Sequence, residues 1–350
     1  QQIPMKYALN TNTIKGERKS GIIAVIASLW PILATEKKKL SFAFVAIVAN
    51  AALTLLAPVI IGHIIDTYIT QKDFHGVLVF SGILLVVYIG ALITNYLQTN
   101  LMGTVGQRSL YNIRNKVFTK VQSLPIAFFN QNKAGDLISR INNDTDKLNQ
   151  VISQQLVQLA GGVVVMLGAA IFLVSLYPKL GFLTLTPAVL VFIFNRVLAP
   201  WVKRRNLRNL QSVGGLSAEI QESLTNFKVI VAFNRRDYFR QRFQEANETA
   251  YKAAISAGIL NNLFTPVYAL ASNLAQLLVL GLGIHLITTG SLSVGLLVSF
   301  LAYAMNFYTP LQQIATSWAS FQVAMAGWDR ISAILSLDTD LLHIAGAGHV

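Results

Sequence analysis

The chain contains no cysteine, and only 12% of its residues are charged. The first absence excludes disulfide frameworks, thiolate nucleophiles and cysteine metal sites. The second, set beside 53% hydrophobic residues and a mean hydropathy of +0.52, lies outside the range of ordinary soluble domains and points to a membrane protein. Histidine is scarce too. His63, His75, His285, His343 and His349 show no H-E-x-x-H spacing, so no metal site is expected. Nowhere does the sequence contain a G-x-x-x-x-G-K-[ST] phosphate loop or a G-x-S-x-G elbow, the backbone cradle of an ATPase and the nucleophile turn of a hydrolase. Asp136, Asp144 and Asp146 read as helix caps and solvated charges rather than as a paired acid and base. These 350 residues by themselves are therefore not expected to form an enzyme.

What the chain does have is long apolar runs. About 20 predominantly apolar residues suffice to cross a hydrocarbon core as a helix, and six such runs are found. They are Leu40 to about Gly62, Val77 to about Gln98, Leu156 to Tyr177, Leu180 to Trp201, and two more within Ala253–Gly327. The last stretch carries no Asp, Glu, Lys or Arg and is broken near Thr288, Thr289, Gly290 and Ser291, a tight turn between two spans. The net charge of +13 is not a nucleic-acid footprint, because the basic residues sit between the apolar runs. All but Lys72 and Lys179 of the 28 lysines and arginines lie before Leu40, in 100–150, in 196–252, or at Arg330. The positive-inside rule then puts both termini and the two long connections in the cytoplasm and three short loops outside. Ile22 to Leu33, interrupted by Pro31 and followed by Lys37, Lys38 and Lys39, reads as an interfacial helix, with Ile22, Ile26, Leu29 and Trp30 on its membrane face.

The second run does not stop at the membrane surface. No proline occurs from Val77 to Leu124, and Leu110, Ile113, Val117, Val121 and Leu124 continue at steps of three and four, a coiled-coil-like seam. A continuous helix to Pro125 is about 72 Å long at 1.5 Å per residue, well beyond a bilayer of roughly 40 to 45 Å. The fourth run likewise passes through Arg204, Arg205 and Arg208, carrying Leu207, Leu210, Leu216, Ile220 and Leu224 as an apolar stripe. Leu148, Val151, Phe239 and Phe243 on the returning segments let each connection close as a helical hairpin. At the first tip, Asn130 to Asp136, Asp136 is expected to cap a short helix through Ile141, and Asp144 to cap the return helix.

Those tips also carry a family resemblance. Phe128, Phe129, Asn130, Gly135, Asp136, Leu137, Ser139, Arg140, Asn143, Asp144 and Thr145 resemble the first coupling-helix region of ATP-binding cassette exporters of the lipid and multidrug type. Glu222, Ser223, Lys228, Val229, Ile230, Ala232, Phe233, Asn234 and Arg235 are similar to the second, with Asn226 and Phe227 where the family usually has a glycine. Gly295, Leu296, Phe300, Tyr303, Pro310, Leu311 and Arg330 match its last span, so the likeness covers nearly the whole chain in order. The resemblance implies an all-α membrane domain of six spans with long cytoplasmic extensions, forming a domain-swapped dimer with a second copy or a homologous half-transporter. Asn130, Gly135, Asp136, Arg140, Glu222, Phe233, Asn234 and Arg235 would couple it to a nucleotide-binding domain, where ATP and Mg2+ would bind.

On this reading the chain divides into an N-terminal segment with its interfacial helix (1–39), a membrane domain (40–337) with hairpins near 100–150 and 202–252, and a truncated linker (338–350) toward an ATPase domain. The expected location is a bacterial cytoplasmic membrane. Candidate cavity residues are Phe300, Tyr303, Asn306 and Phe307 in the last span and Asn273 and Gln276 in the fifth, a set suited to a hydrophobic or amphipathic substrate. Ordinary helix packing accounts for the aromatics equally well. The competing function is a transporter driven by an ion gradient. Such proteins use ionisable groups inside the membrane, and here only His285 and the boundary residue Asp66 qualify.

Overall fold

The computed structural model describes Leu9, Trp30, Pro31 and residues 34–337. Of the expected interfacial helix only Trp30 and Pro31 fall within these; both are helical and exposed, while Ile22, Ile26 and Leu29 lie outside the described residues, as does the 338–350 segment. Among the described residues there is no strand. Peptide groups in hydrocarbon have no water to bond, so an apolar chain crosses it by pairing each group within its own helix.

Six stretches are long and apolar enough to cross a membrane: Ala34–Ile69, Phe74–Gln122, Ala134–Leu176, Pro178–Thr225, Arg236–Thr288 and Val294–Leu335. In chain order the α-helices are α1 (Lys37–His63), α2 (Phe74–Gln122), α3 (Ile126–Gln131), α4 (Ala134–Ser139), α5 (Thr145–Gln150), α6 (Leu156–Leu176), α7 (Pro178–Thr225), α8 (Phe227–Ala232), α9 (Arg236–Asn262), α10 (Phe264–Thr288) and α11 (Val294–Leu335). Single π-helical turns follow α1 (Ile64–Ile69) and link α4 to α5 (Arg140–Asp144) and α5 to α6 (Val151–Gln155). The helices form two compact units, one made of the residues up to Ile171 with those from Ser293 onward, the other of Phe172–Leu292.

In the first unit, α1 packs on α2 and on α11. The α1–α11 crossing is a backbone approach. A Cβ added at Gly295 would meet the Gly62 carbonyl oxygen, and one added at Gly62 would lie 2.8 Å from the Gly295 carbonyl oxygen. Close backbones increase dispersion contact where no hydrophobic force draws helices together. Buried hydroxyls reinforce the seam: Tyr303 Oη donates to Leu55 O at 2.6 Å, and Ser299 Oγ to Pro58 O at 2.7 Å. At the end of α1, Asp66 Oδ1 accepts from Gly295 N at 2.7 Å and Oδ2 from Ser293 Oγ at 2.5 Å. Ser293 Oγ in turn accepts from Leu296 N at 3.2 Å, so a serine and a carboxylate from another span together satisfy the first amides of α11.

Beyond the span, α2 continues to Gln122, and the seam residues Leu110, Ile113, Val117, Val121 and Leu124 are all buried. Ile113, Val117, Val121 and Leu124 form one core with Phe128 and Leu137 of the tip helices, with Leu148 and Ile152 of the returning segment, and with Ala324, Trp328, Ile331 and Ile334 at the end of α11. The first hairpin is thus a three-helix bundle rather than an isolated pair.

The second unit is simpler. Tyr177 alone separates α6 from α7, with Pro178 at the first turn of α7, where its missing N–H costs nothing. Gly181 lies so near the Leu173 backbone that an added Cβ would fall 2.3 Å from the Leu173 carbonyl oxygen. α7 pairs with α9 and α10, and Asn195 Nδ2 donates to Tyr268 Oη at 2.7 Å. Thr288 ends α10, and the turn to α11 contains Gly290 at φ +71°, a left-handed position suited to glycine.

The α1–α11 crossing yields a first prediction. Gly295→Ala should lower stability by about 1–3 kcal/mol through overpacking against backbone, measured by reversible unfolding in mixed micelles. Gly281→Ala, where an added Cβ meets nothing within 4 Å, should be neutral within error.

Candidate functional site

The first tip is built from two short helices. Pro125 ends the run of α2, α3 follows, and Asn132 and Lys133 pass in extended conformation to α4. Asn132 folds back with Nδ2 donating to Phe128 O at 2.8 Å, and its Oδ1 accepts from Leu9 N at 3.0 Å. Asn130 and Gly135 are exposed at the tip, as are the apolar side chains of Ile126, Phe129 and Ile138.

The capping roles expected of two aspartates are not the ones observed. Asp136 lies inside the first turn of α4, whose N-cap is Lys133, and Asp136 Oδ2 accepts from Arg140 Nε at 3.0 Å. This is an i,i+4 pair, a spacing the sequence displayed. Arg140 itself is buried, and its Nη1 also donates to Arg330 O at 3.2 Å, so it pins the tip to α11 rather than facing a partner. Asp144 is already in helical conformation and caps nothing with its side chain. Its buried carboxylate takes a bidentate fork from Arg330, Nε to Oδ2 at 2.7 Å and Nη2 to Oδ1 at 2.6 Å, with Lys147 Nζ at 3.4 Å. Gly327 admits the approach, since an added Cβ would lie 3.3 Å from Asp144 Cβ. Burial pushes the Asp144 carboxyl upward, but the Arg330 hydrogen bonds and charge and the nearby Lys147 outweigh it and hold it below its ordinary value. The Arg330 guanidinium is correspondingly raised, first by its hydrogen bond to Asp144.

The second tip is α8, entered through Asn226 at φ −96° and ψ 14°, a conformation that needs no glycine. The departure from the family pattern there carries no backbone cost. Asn234, by contrast, has φ +52°, a left-handed position that asparagine tolerates better than most residues. Ile230 is buried, while Leu224, Phe227, Val229 and Phe233 are exposed, and so are Asn234 and Arg235. Arg242 of α9 closes the hairpin by donating to Glu219 Oε2 at 2.8 Å and lying 3.4 Å from Glu222 Oε2. Glu222 therefore shares a clamp with Glu219, a partner the sequence reading did not single out. The α7 stripe behaves differently from the α2 seam: Leu207, Leu210, Ile220 and Leu224 remain exposed.

The candidate cavity residues separate. Phe300 and Tyr303 are fully buried, and Tyr303 is bonded to α1, so both serve the packing of the first unit. Asn306 and Phe307 are half-buried in that unit. Asn273 is exposed and Gln276 half-buried in the second unit, Gln276 Nε2 lying 3.5 Å from Ser272 Oγ. No group of three His, Cys, Asp or Glu side chains able to hold a metal occurs among the described residues.

The Asp144–Arg330 fork is testable. Asp144→Asn should cost about 1–2 kcal/mol, the lower part of the range for hydrogen bonds to charged groups because Arg330 is partly solvated. A carboxyl whose folded value is lowered stabilises fully above the unfolded value, and the gain is lost as pH falls through the folded one. The wild-type chain should lose stability over the range below about pH 4 more steeply than Asp144→Asn, as read by denaturant titration at stepped pH.

Residues 40–311 match the family described as the ABC transporter transmembrane region. Among curated proteins, the chain is 27% identical over 312 residues to the Bacillus subtilis uncharacterized ABC transporter ATP-binding protein YfiC, covering 88% of this chain and 51% of that protein. It is 28% identical over 263 residues to a Mycobacterium bovis fatty acid ABC transporter ATP-binding/permease protein, covering 75% and 42%. A Lactococcus lactis multidrug resistance ABC transporter ATP-binding and permease protein is 24% identical over 328 residues, covering 89% and 53%. The chain thus spans about half the length of these relatives. With six apolar helices, hairpins that outrun them and a family match over most of its length, the chain belongs to the transmembrane-region family of ABC transporters and is an integral, multi-pass membrane protein.

Proposed function

We propose that this chain is the translocating half of an ATP-driven exporter that moves hydrophobic or amphipathic compounds outward by alternating access. The observation that carries the reading is the pair of tips. Each presents exposed apolar side chains beyond the apolar spans, Ile126 and Phe129 on α3 with Ile138 on α4 at one, and Phe227 and Val229 on α8 with Phe233 at its end at the other. Apolar surface held on a stiff arm away from lipid suits burial against a folded partner. That partner is a nucleotide-binding domain, carried by a longer protein or by a separate subunit, which binds ATP and Mg2+ and closes on the tips. Both tips then lie in the cytoplasm, as the basic residues of the two hairpins favour. The bacterial cytoplasmic membrane is the proposed location.

The exposed stripe of α7 supports a second copy or a homologous half-transporter as a further partner. Leu210, Ile220 and Leu224 lie on an extension past the span, beyond the reach of the bilayer's hydrocarbon. For the substrate path we retain Asn273, Gln276, Asn306 and Phe307, whose exposed or half-buried side chains mix apolar and amide surface. The relatives named for fatty acid transport and multidrug resistance are consistent with such a cargo. Asp66, the carboxylate nearest a span, is occupied as a helix cap, which disfavours its use in ion coupling.

The test is ATPase activity in lipid nanodiscs, first of this chain alone and then of a fusion with an exporter-type nucleotide-binding domain beyond Leu337. Inactivity alone, with amphiphile-stimulated hydrolysis in the fusion, is expected; inactivity of a folded fusion would favour the gradient-driven reading. In the active fusion, Glu222→Ala and Phe233→Asp should each lower stimulation several-fold while substrate affinity stays unchanged. Equal loss of binding would place these residues in the substrate path instead.

A further inference from the structure

Between α7 and α9, past the end of the apolar run, lies a cavity of about 420 Å³. Three cationic side chains, Arg205, Arg208 and Lys252, and three hydroxyls, Ser212, Thr249 and Ser256, line it, and no carboxylate does. The helices are tied on both sides of this opening. Toward the span, Asn206 and Asn261 exchange side-chain hydrogen bonds at 3.1 and 3.2 Å. Farther out, Arg242 joins Glu219 at 2.8 Å. Between the ties, α7 carries Gly214 and Gly215, both exposed, where an added Cβ would meet nothing within 4 Å.

The charge in the cavity is only partly compensated. Lys252 lies 3.1 Å from Glu248 in an exposed pair, whereas no ion pair to Arg205 or Arg208 occurs among the described residues. Two guanidinium forks beside the Ser212 and Ser256 hydroxyls form a set matched to an oxyanion, which accepts several charge-assisted hydrogen bonds at once, while the Thr249 hydroxyl donates within its own helix to Glu245 O at 2.8 Å. Depth narrows the choice of anion. Trp201, exposed at the end of the fourth apolar run, is of the type that sits at the membrane interface. Arg205 and Arg208 follow it by roughly 6 and 10 Å at 1.5 Å per residue, within and just past the headgroup layer. Above the cavity, Phe192, Ile193 and Val197 on α7, Ile259 on α9 and Leu263 just past its end are exposed, a path for an acyl chain.

We propose that this cleft binds the oxyanion headgroup of a membrane amphiphile, a phosphodiester or a carboxylate, whose chain lies against the apolar surface above it. The site is separate from the tips and from the candidate cavity residues, and it does not depend on the ATP-driven reading. Occupancy would bridge α7 and α9 where they are otherwise held apart, so anionic lipid would stiffen the second hairpin.

Because the chain has no native cysteine, Ala254→Cys, at an exposed position of α9 outside the lining, can carry a single fluorophore beside the cleft. The labelled protein is placed in phosphatidylcholine nanodiscs containing a nitroxide-chain lipid: phosphatidylglycerol, stearate or phosphatidylcholine. Stronger quenching by phosphatidylglycerol, stearate or both than by phosphatidylcholine at equal mole fraction is expected. Phosphatidylglycerol alone would identify bilayer phospholipid as the source, stearate alone a fatty carboxylate. Neutralising Arg205→Gln and Arg208→Gln should weaken the preference about fivefold per residue, while Lys203→Gln with Arg204→Gln, outside the lining, should leave it intact. If the double variant does not purify folded, the two single variants are read separately. Equal quenching by all three lipids in the unsubstituted cleft, or an anionic preference that survives loss of both arginines, would overturn the proposal.

Discussion

Every other feature of this chain follows from the cost of leaving a peptide group unpaired in hydrocarbon. That cost makes each span a helix and makes breaks between helices fall where water or protein can reach them. It also explains how the ends of α1 and α11 meet. The first amides of α11 have no partners within their own helix, and Ser293 and Asp66 supply them, so satisfying a helix terminus simultaneously fixes one span against another. The glycine approach at Gly62 and Gly295 and the hydroxyls of Ser299 and Tyr303 continue that joint down the same seam.

Much of this is legible in the sequence because it depends on local composition. The six spans and the turn at Gly290 follow from apolar runs and the polar break between them, and the length of α2 from the absence of proline between Val77 and Leu124, whereas α7 runs on through Pro187 and Pro200. The α2 seam is legible for a stronger reason: its residues recur at steps of three and four and are all buried. The same period in α7 misleads, since Leu207, Leu210 and Leu224 are exposed. Periodicity reports that a face is apolar, not what covers it.

The polar contacts were less legible, because they join residues far apart in the chain. Asp144 and Asp136 stand where caps are common, yet Asp144 meets Arg330, 186 positions away, and Asp136 meets Arg140. Propensity ranks the local use of an aspartate and is silent about a guanidinium arriving from another helix. A readable sign did exist. Arg330 is the first basic residue after the charge-free stretch from Ala253 to Gly327, where a fixed cation at the foot of a span calls for a partner. Phe300 and Tyr303 illustrate the converse case, aromatics at a spacing compatible with either a cavity or a packed seam, which the bond from Tyr303 to Leu55 resolves toward packing.

The two hairpins differ in construction. The first shares a core with the end of α11 and is locked to it by the Asp144–Arg330 fork; the second is a pair of helices closed by Arg242, with two adjacent glycines and open space along α7. The first is therefore braced along its length and the second mainly at its two ties. Moving the first tip away from α11 means breaking the Asp144–Arg330 fork, whereas the second hairpin has its softest backbone in the glycine pair at 214 and 215.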